Sequence, residues 1–132
     1  MLLTKKSEYA LLSLVSIAKS DEPKNVDILS TELNISKSFL AKILQNLARN
    51  DILKSYKGNN GGFMLNKPSC ELTIFEITKI AEQKVPLVFE CTSDLGNCSG
   101  SLGSGCTVFP ILNKLQNKIN GFLNELTLKD IL

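Results

Sequence analysis

Three cysteines, Cys91, Cys98 and Cys106, fall within sixteen residues of a segment with little to bury, since Thr92–Asn97 and Ser99–Gly105 are mostly small, polar or glycine. A stretch of this composition has too few apolar contacts to order itself. Thiolates holding a soft metal would organise it, because metal-binding energy then also becomes folding energy. Sulfur donors suit an iron–sulfur cluster or zinc. The spacing, with six and then seven intervening residues, matches neither the ferredoxin runs nor the paired C-x-x-C of structural zinc sites. Free thiols could instead sense oxidants through a reactive thiolate. A third possibility is a small redox or electron-transfer protein. Cys70, which follows Pro68-Ser69, reads as structural.

The chain of 132 residues has no histidine. That removes the commonest general base and the commonest neutral metal ligand. With no catalytic constellation left, an enzyme is not expected. Met1–Lys6 lacks the order of a signal peptide, and no apolar run approaches the roughly 20 residues that span a bilayer. The expectation is a cytoplasmic protein without a membrane partner, its thiols kept reduced.

The charges divide the chain. Residues 1–68 carry ten Lys/Arg and six Asp/Glu (+4), and residues 69–132 carry five and seven (−2), within a total of +2. A basic first half is the one suited to meet a polyanion.

The elements that would position these groups are mainly helical, with a small β-wing. From Lys5 to Lys19, Ala10, Leu11, Leu14, Val15 and Ala18 recur at helical spacing, with Thr4 as a cap. After Pro23 a short helix is expected over about Asp27–Leu33, then a turn at Asn34-Ile35. Ser36 should cap a second helix with the apolar stripe Leu40, Ile43, Leu44, Leu47 and Ala48. This is the helix-turn-helix pattern. Two short strands, Ile52–Tyr56 and Phe63–Leu65, flank Lys57-Gly58-Asn59-Asn60-Gly61-Gly62, whose Asn and Gly suit a hairpin tip. Residues 1–68 thus read as a winged helix-turn-helix.

Residues 69–132 read as one integrated unit. Thr73-x-x-Glu76 is a capping box opening a helix to about Gln83. The cysteine segment follows, at about residues 90–107, and then a long helix from about Val108 to Leu126. There Val108, Leu112, Leu115, Ile119, Phe122 and Leu126 recur at alternating steps of four and three, a seam that wants a partner helix. The stripe could pack on its own domain, but a homodimer is favoured, with Leu112, Leu115, Ile119, Phe122 and Leu126 at its interface. Two such subunits would present paired reading helices to a palindromic double-stranded DNA operator.

On the second helix of the pair, Lys37, Ser38, Ala41, Lys42, Gln45, Asn46 and Arg49 lie opposite the apolar stripe. Any surface helix has a polar face. The conjunction with a wing, a basic half-chain and a dimer seam favours DNA. Lys and Arg neutralise phosphates, while Gln and Asn pair with adenine edges. The expected contacts are Lys37, Ser38, Lys42, Gln45 and Asn46 on the helix, with Ser38 and Lys42 ranked above Arg49. The wing adds Lys54, Lys57, Asn59 and Asn60.

Taken in order, the segments Leu3-Thr4-Lys5, Glu8-Tyr9-Ala10-Leu11, Ile35-Ser36, Phe39-Leu40, Ser55–Phe63, the three cysteines and Thr127-Leu128 span nearly the whole chain. In this order the chain resembles the Rrf-type winged-helix transcriptional regulators, the family of IscR-like and NsrR-like iron–sulfur regulators. The resemblance implies a homodimeric regulator, expected to be a repressor, in which an iron–sulfur cluster couples redox, nitric-oxide or iron status to DNA affinity. It carries over Cys91, Cys98 and Cys106 as cluster ligands, with the choice between [2Fe-2S] and [4Fe-4S] open. Some members add a histidine after the third cysteine, where this chain has Thr107-Val108-Phe109. Others use a carboxylate of the partner subunit's first helix, a stretch matched here by Glu8. A helix-dipole role is the equal alternative for that residue. The chain also departs from the family's pattern in having Lys57 for the usual Arg, Ala41 for a glutamate that discriminates operators, and longer cysteine spacing. No operator preference therefore transfers. A cluster-free regulator of the same type, sensing by thiol oxidation or through a partner protein, is the alternative.

Overall fold

The computed structural model describes residues 3–87 and 108–132. Helix α1 (Lys5–Ala18) forms where the apolar spacing places it and buries Ala10, Leu14 and Ile17. Helix α2 (Val26–Leu33) is capped by Asn25, whose Oδ1 accepts from the Ile28 N–H at 2.8 Å. It stops at Asn34 in the left-handed region (φ 55°), a conformation that asparagine tolerates better than most residues. Helix α3 (Lys37–Arg49) follows two residues later. Ser36 occupies its N-cap position, but the hydroxyl is turned to Ser38 Oγ at 3.2 Å and does not cap the backbone.

Strands β1 (Leu53–Tyr56) and β2 (Gly62–Leu65) pair antiparallel, with Leu53 opposite Leu65 and Tyr56 opposite Gly62. Lys24 adds a third short rung. Its N–H donates to the Phe63 carbonyl at 3.1 Å, and the Phe63 N–H returns at 2.8 Å. The close approach requires glycine at 62, where φ is +152° and a Cβ would lie 2.4 Å from the Lys24 carbonyl carbon. The Lys24 ammonium meanwhile bonds Ser16 of α1 and Glu32 of α2 at 2.8–2.9 Å, and its bonds to Glu32, together with one from the Ser16 hydroxyl at 2.8 Å, hold the Glu32 carboxyl below its ordinary range. One residue thereby ties the wing to both preceding helices.

A turn of 3-10 helix (Ser69–Glu71) leads to α4 (Ile74–Glu82). Cys70 lies on that turn and is exposed, so the structural role expected for it is not what the fold gives it. Thr73 Oγ1 accepts from the Glu76 N–H at 3.1 Å, but the Glu76 carboxylate goes to Lys67 at 3.4 Å. The expected capping box is therefore half formed. A complete one closes the chain instead, with Thr127 and Asp130 capping each other at the start of a 3-10 turn, Leu128–Ile131. Helix α5 (Phe109–Glu125) precedes it and carries Pro110 in its first turn, where proline is tolerated.

The core draws on both halves of the sequence. Leu14, Leu29, Leu40, Leu44 and Leu47 pack with Leu72, Ile77 and Leu128, all fully buried. The C-terminus seals this core, because the Leu128 N–H donates to the Leu72 carbonyl and the Ile74 N–H to the Leu126 carbonyl, at 2.8 and 2.9 Å. The start of α1 is fastened to the end of α4 by Glu82. This buried carboxylate accepts from the Thr4 N–H at 2.8 Å and from the Thr4 hydroxyl. Thr4 Oγ1 in turn accepts from the Lys6 N–H, so the negative charge sits against the positive end of the helix.

Hydrogen bonds to a charged group contribute about 1.5–3 kcal/mol each when truncated. Glu82→Ala is therefore expected to lower stability by roughly that amount, seen as a lower urea midpoint at unchanged slope. An unaltered midpoint would show that the α1–α4 fastening carries no stability.

Candidate nucleic-acid interface

Helix α3 buries Leu40, Ile43, Leu44 and Leu47, and that choice fixes what it shows. Ser38, Lys42, Gln45 and Arg49, spaced by four, three and four residues, share the opposite face, and all four are exposed. Arg49, ranked low from the sequence, stands on this face with the others. Lys37 is exposed but pairs with Asp27 of α2 at 2.5 Å, which offsets its charge.

Asn46 is a correction. Its amide donates to the Ile80 carbonyl of α4 at 2.7 Å, and its Oδ1 accepts from Asn50 at 3.3 Å. With one amide N–H given to α4 and the oxygen to Asn50, the side chain is turned toward α4, and a bidentate adenine contact would require it to leave these partners. Sequence spacing alone could not show this, because Asn46 sits at the margin of the polar face, where solvent and a neighbouring helix leave the same pattern.

The wing presents Lys54, Lys57, Asn59 and Asn60, all exposed. Its tip turns through Gly58 at φ +104°, and the Gly61 N–H closes onto the Gly58 carbonyl at 3.0 Å. The Lys54 ammonium lies 5.6 Å from the Tyr56 ring centre, a cation–π contact that positions it without neutralising it. The cations of the helix pair and the wing differ in their partners. Lys5, Lys24, Lys37 and Lys67 each pair with a carboxylate, whereas Lys42, Arg49, Lys54 and Lys57 have no such partner among the described residues. Charges left without partners around one helix and one hairpin make a surface for an anion.

The N-terminal end of α3 rests on α1 through Phe39, whose ring meets Tyr9 edge-on at 5.6 Å. Glu8 is half-exposed on the first turn of α1 and pairs with Lys5 at 2.9 Å, and this contact raises the Lys5 ammonium above its ordinary range. Cys91, Cys98 and Cys106 lie outside the described residues. Among the described residues no three His, Cys, Asp or Glu are grouped to hold a metal.

Helix α5 turns Gln116 and Leu123 inward, 3% and 7% exposed. The Gln116 amide donates to the Pro86 carbonyl and to Asn120, both at 2.8 Å. Of the expected seam, Leu115 and Phe122 are exposed (42% and 60%), and Leu112, Ile119 and Leu126 are half-buried. Ile111, at 68%, is the apolar residue that the heptad reading missed. It lies four residues before Leu115 on the same uncovered stripe.

A family model decides what kind of machinery carries this face. Residues 3–132 match Rrf2, described as an iron-dependent transcriptional regulator. The chain belongs to the Rrf2 family. It is a transcriptional regulator and not an enzyme. It is 28% identical to the HTH-type transcriptional regulator IscR of Escherichia coli O1:K1 over 133 aligned positions, covering 99% of this chain and 80% of that protein. Among solved structures, T. potens IscR superposes with a TM-score of 0.73 at 18% identity, over 98% of this chain and 84% of that one. The oxidized form of Staphylococcus aureus CymR gives 0.74 at 21%, over 98% and 94%. These superpositions establish the Rrf2 winged-helix fold, mostly helical with a two-stranded wing. No helix among the described residues is long and apolar enough to cross a membrane.

Asn46→Ala is expected to cost this Rrf2 protein about 0.5–1.5 kcal/mol, because it removes the α3–α4 bond while the Ile80 carbonyl keeps the Gln83 N–H at 3.2 Å. Gln45→Ala should stay within about 0.5 kcal/mol of the parent. Chemical denaturation of both variants checks the assignment, and equal losses would contradict it.

Proposed function

We propose that this Rrf2 regulator is a cytoplasmic homodimeric repressor that reads a palindromic operator through α3 and the wing. We further propose that an iron–sulfur cluster on Cys91, Cys98 and Cys106 switches its DNA affinity. The observation that carries the DNA reading is the exposed Ser38–Lys42–Gln45–Arg49 face beside the unpaired wing lysines. Lys37, Asn59 and Asn60 add contacts at the margins. The uncovered stripe of Ile111, Leu115 and Phe122 supports a second copy packed along α5.

For the cluster, the support is the chemistry of the donor set: three thiolates on a glycine-rich segment, in a chain without histidine. When bound, the cluster supplies one-electron redox chemistry and a labile iron centre. Glu8 of the partner subunit is the proposed fourth ligand, and it would have to exchange its Lys5 pairing for the metal. The second reading is a cluster-free regulator sensing by thiol oxidation. Its support is that the same fold serves CymR, named the global cysteine regulator of B. subtilis.

Anaerobic purification with iron and sulfide analysis and a visible spectrum separates the two. Bound iron and sulfide that Cys98→Ala abolishes are expected. A colourless protein whose DNA affinity follows oxidant would favour the thiol reading instead. Lys42→Ala and Lys57→Ala should each weaken DNA binding and lower its salt slope by about one unit, and unchanged slopes would place the wrong face on DNA. Paired Ile111→Asp and Phe122→Asp changes should give monomers by light scattering. These positions are chosen because shortening α5 before Ile119 would also remove Leu123 and Leu128 from the core.

A further inference from the structure

A second group of lysines stands beside the reading face without belonging to it. Lys6, at the start of α1, and Lys79 and Lys84, at the end of α4, are exposed and make no ion pair among the described residues. Three open concavities of about 180, 430 and 490 Å³ join them through shared walls. Lys6 and Phe39 line the first two, Gln83 lines the first and third, and Lys84 lines the second and third. Together they form a groove along the flank of α3 that Asn46 presents to α4. The carboxylate lining it is Glu82, which is buried and committed to Thr4. The rim therefore carries an uncompensated positive charge.

An α-helix about 10–12 Å across nearly fills a major groove about 12 Å wide. Whatever stands beside the helix then stands over a wall of phosphates. We propose that Lys6, Lys79 and Lys84 hold the DNA backbone bordering the groove that α3 occupies. This rests on the reading that α3 binds DNA, and extends the footprint to α1 and α4. These lysines carry no base information. They fix how deep and at what tilt α3 sits. The competing role is local, since Lys79 lies in the last turn of α4 and the Lys84 N–H caps the Lys79 carbonyl at 3.2 Å.

The test uses the full chain and a duplex that it selects from a random pool, with affinity measured against salt. For the Lys6→Gln, Lys79→Gln, Lys84→Gln triple variant, the slope is expected to fall by about one unit per lysine removed in each bound subunit. The loss should be equal on an unrelated duplex, with base preference unchanged. The matching Lys→Arg triple variant should recover the slope. Should the Gln triple variant fail to fold, Lys6→Gln and Lys84→Gln alone should each show the one-unit loss. A lowered melting temperature with a parental slope would assign these lysines to helix capping and overturn the inference, leaving the α3 reading intact. A parent chain that selects no duplex would overturn that reading and this inference together.

Discussion

The rotation of α3 about its own axis is the constraint on which the rest of the molecule depends. Leu40, Leu44 and Leu47 are fully buried, and Ile43 nearly so, and no other setting of the helix would keep all of them from water. At roughly 1.5–3 kcal/mol for each buried aliphatic side chain, exposing these four would cost an amount comparable to a typical domain's entire stability. Everything around α3 is placed to hold that angle. Phe39 rests on Tyr9 at one end, Asn46 is tied to Ile80 along the flank, and Ile52 and Leu53 bury the start of the wing behind it.

The same framework supports the chain where it enters residues 88–107. At the end of helix α4, Glu82 fastens it to Thr4, and Gln83 turns the backbone at φ 60°. Pro86, buried, is then held by Gln116 of α5. The cysteine-bearing segment therefore begins from a point bonded both to the first helix and to the helix that displays the uncovered apolar stripe. Through Asn46, the element just before it also touches α3.

Most of this architecture was legible in the sequence, because the apolar stripes of α1 and α3 run at a clean helical period and the Asn/Gly hairpin leaves little choice at residues 57–62. What escaped were long-range side-chain bonds. Nothing near Glu82 in sequence announces that its partner is Thr4, and Thr127-x-x-Asp130 precedes too short a turn to attract notice. Glu76 was read as a capping acid because its spacing from Thr73 was right, but Lys67 competes for it. Cys70 was read as structural from its position beside an element boundary, and burial alone could decide that. On α5, a strict heptad kept Leu112 and Leu126 and omitted Ile111, since a straight helix drifts relative to a seven-residue repeat.

The commitment of Asn46 to α4 has a consequence for information. Apart from Lys37, whose charge Asp27 offsets, Ser38, Lys42, Gln45 and Arg49 remain as the exposed polar side chains of the proposed reading face, and on that proposal each specifies at most about one base pair, or two bits. On the proposed dimer, two half-sites then carry roughly sixteen bits. Singling out one address among the 10⁶–10⁹ competing positions of a genome takes about twenty to thirty. On that proposal, what α3 and the wing do not read directly falls to the DNA itself, through the groove width and stiffness that let one sequence accept the protein more cheaply than another. On the proposed reading, a hydrogen bond inside the protein sets how much of its selectivity is delegated to the mechanics of the duplex.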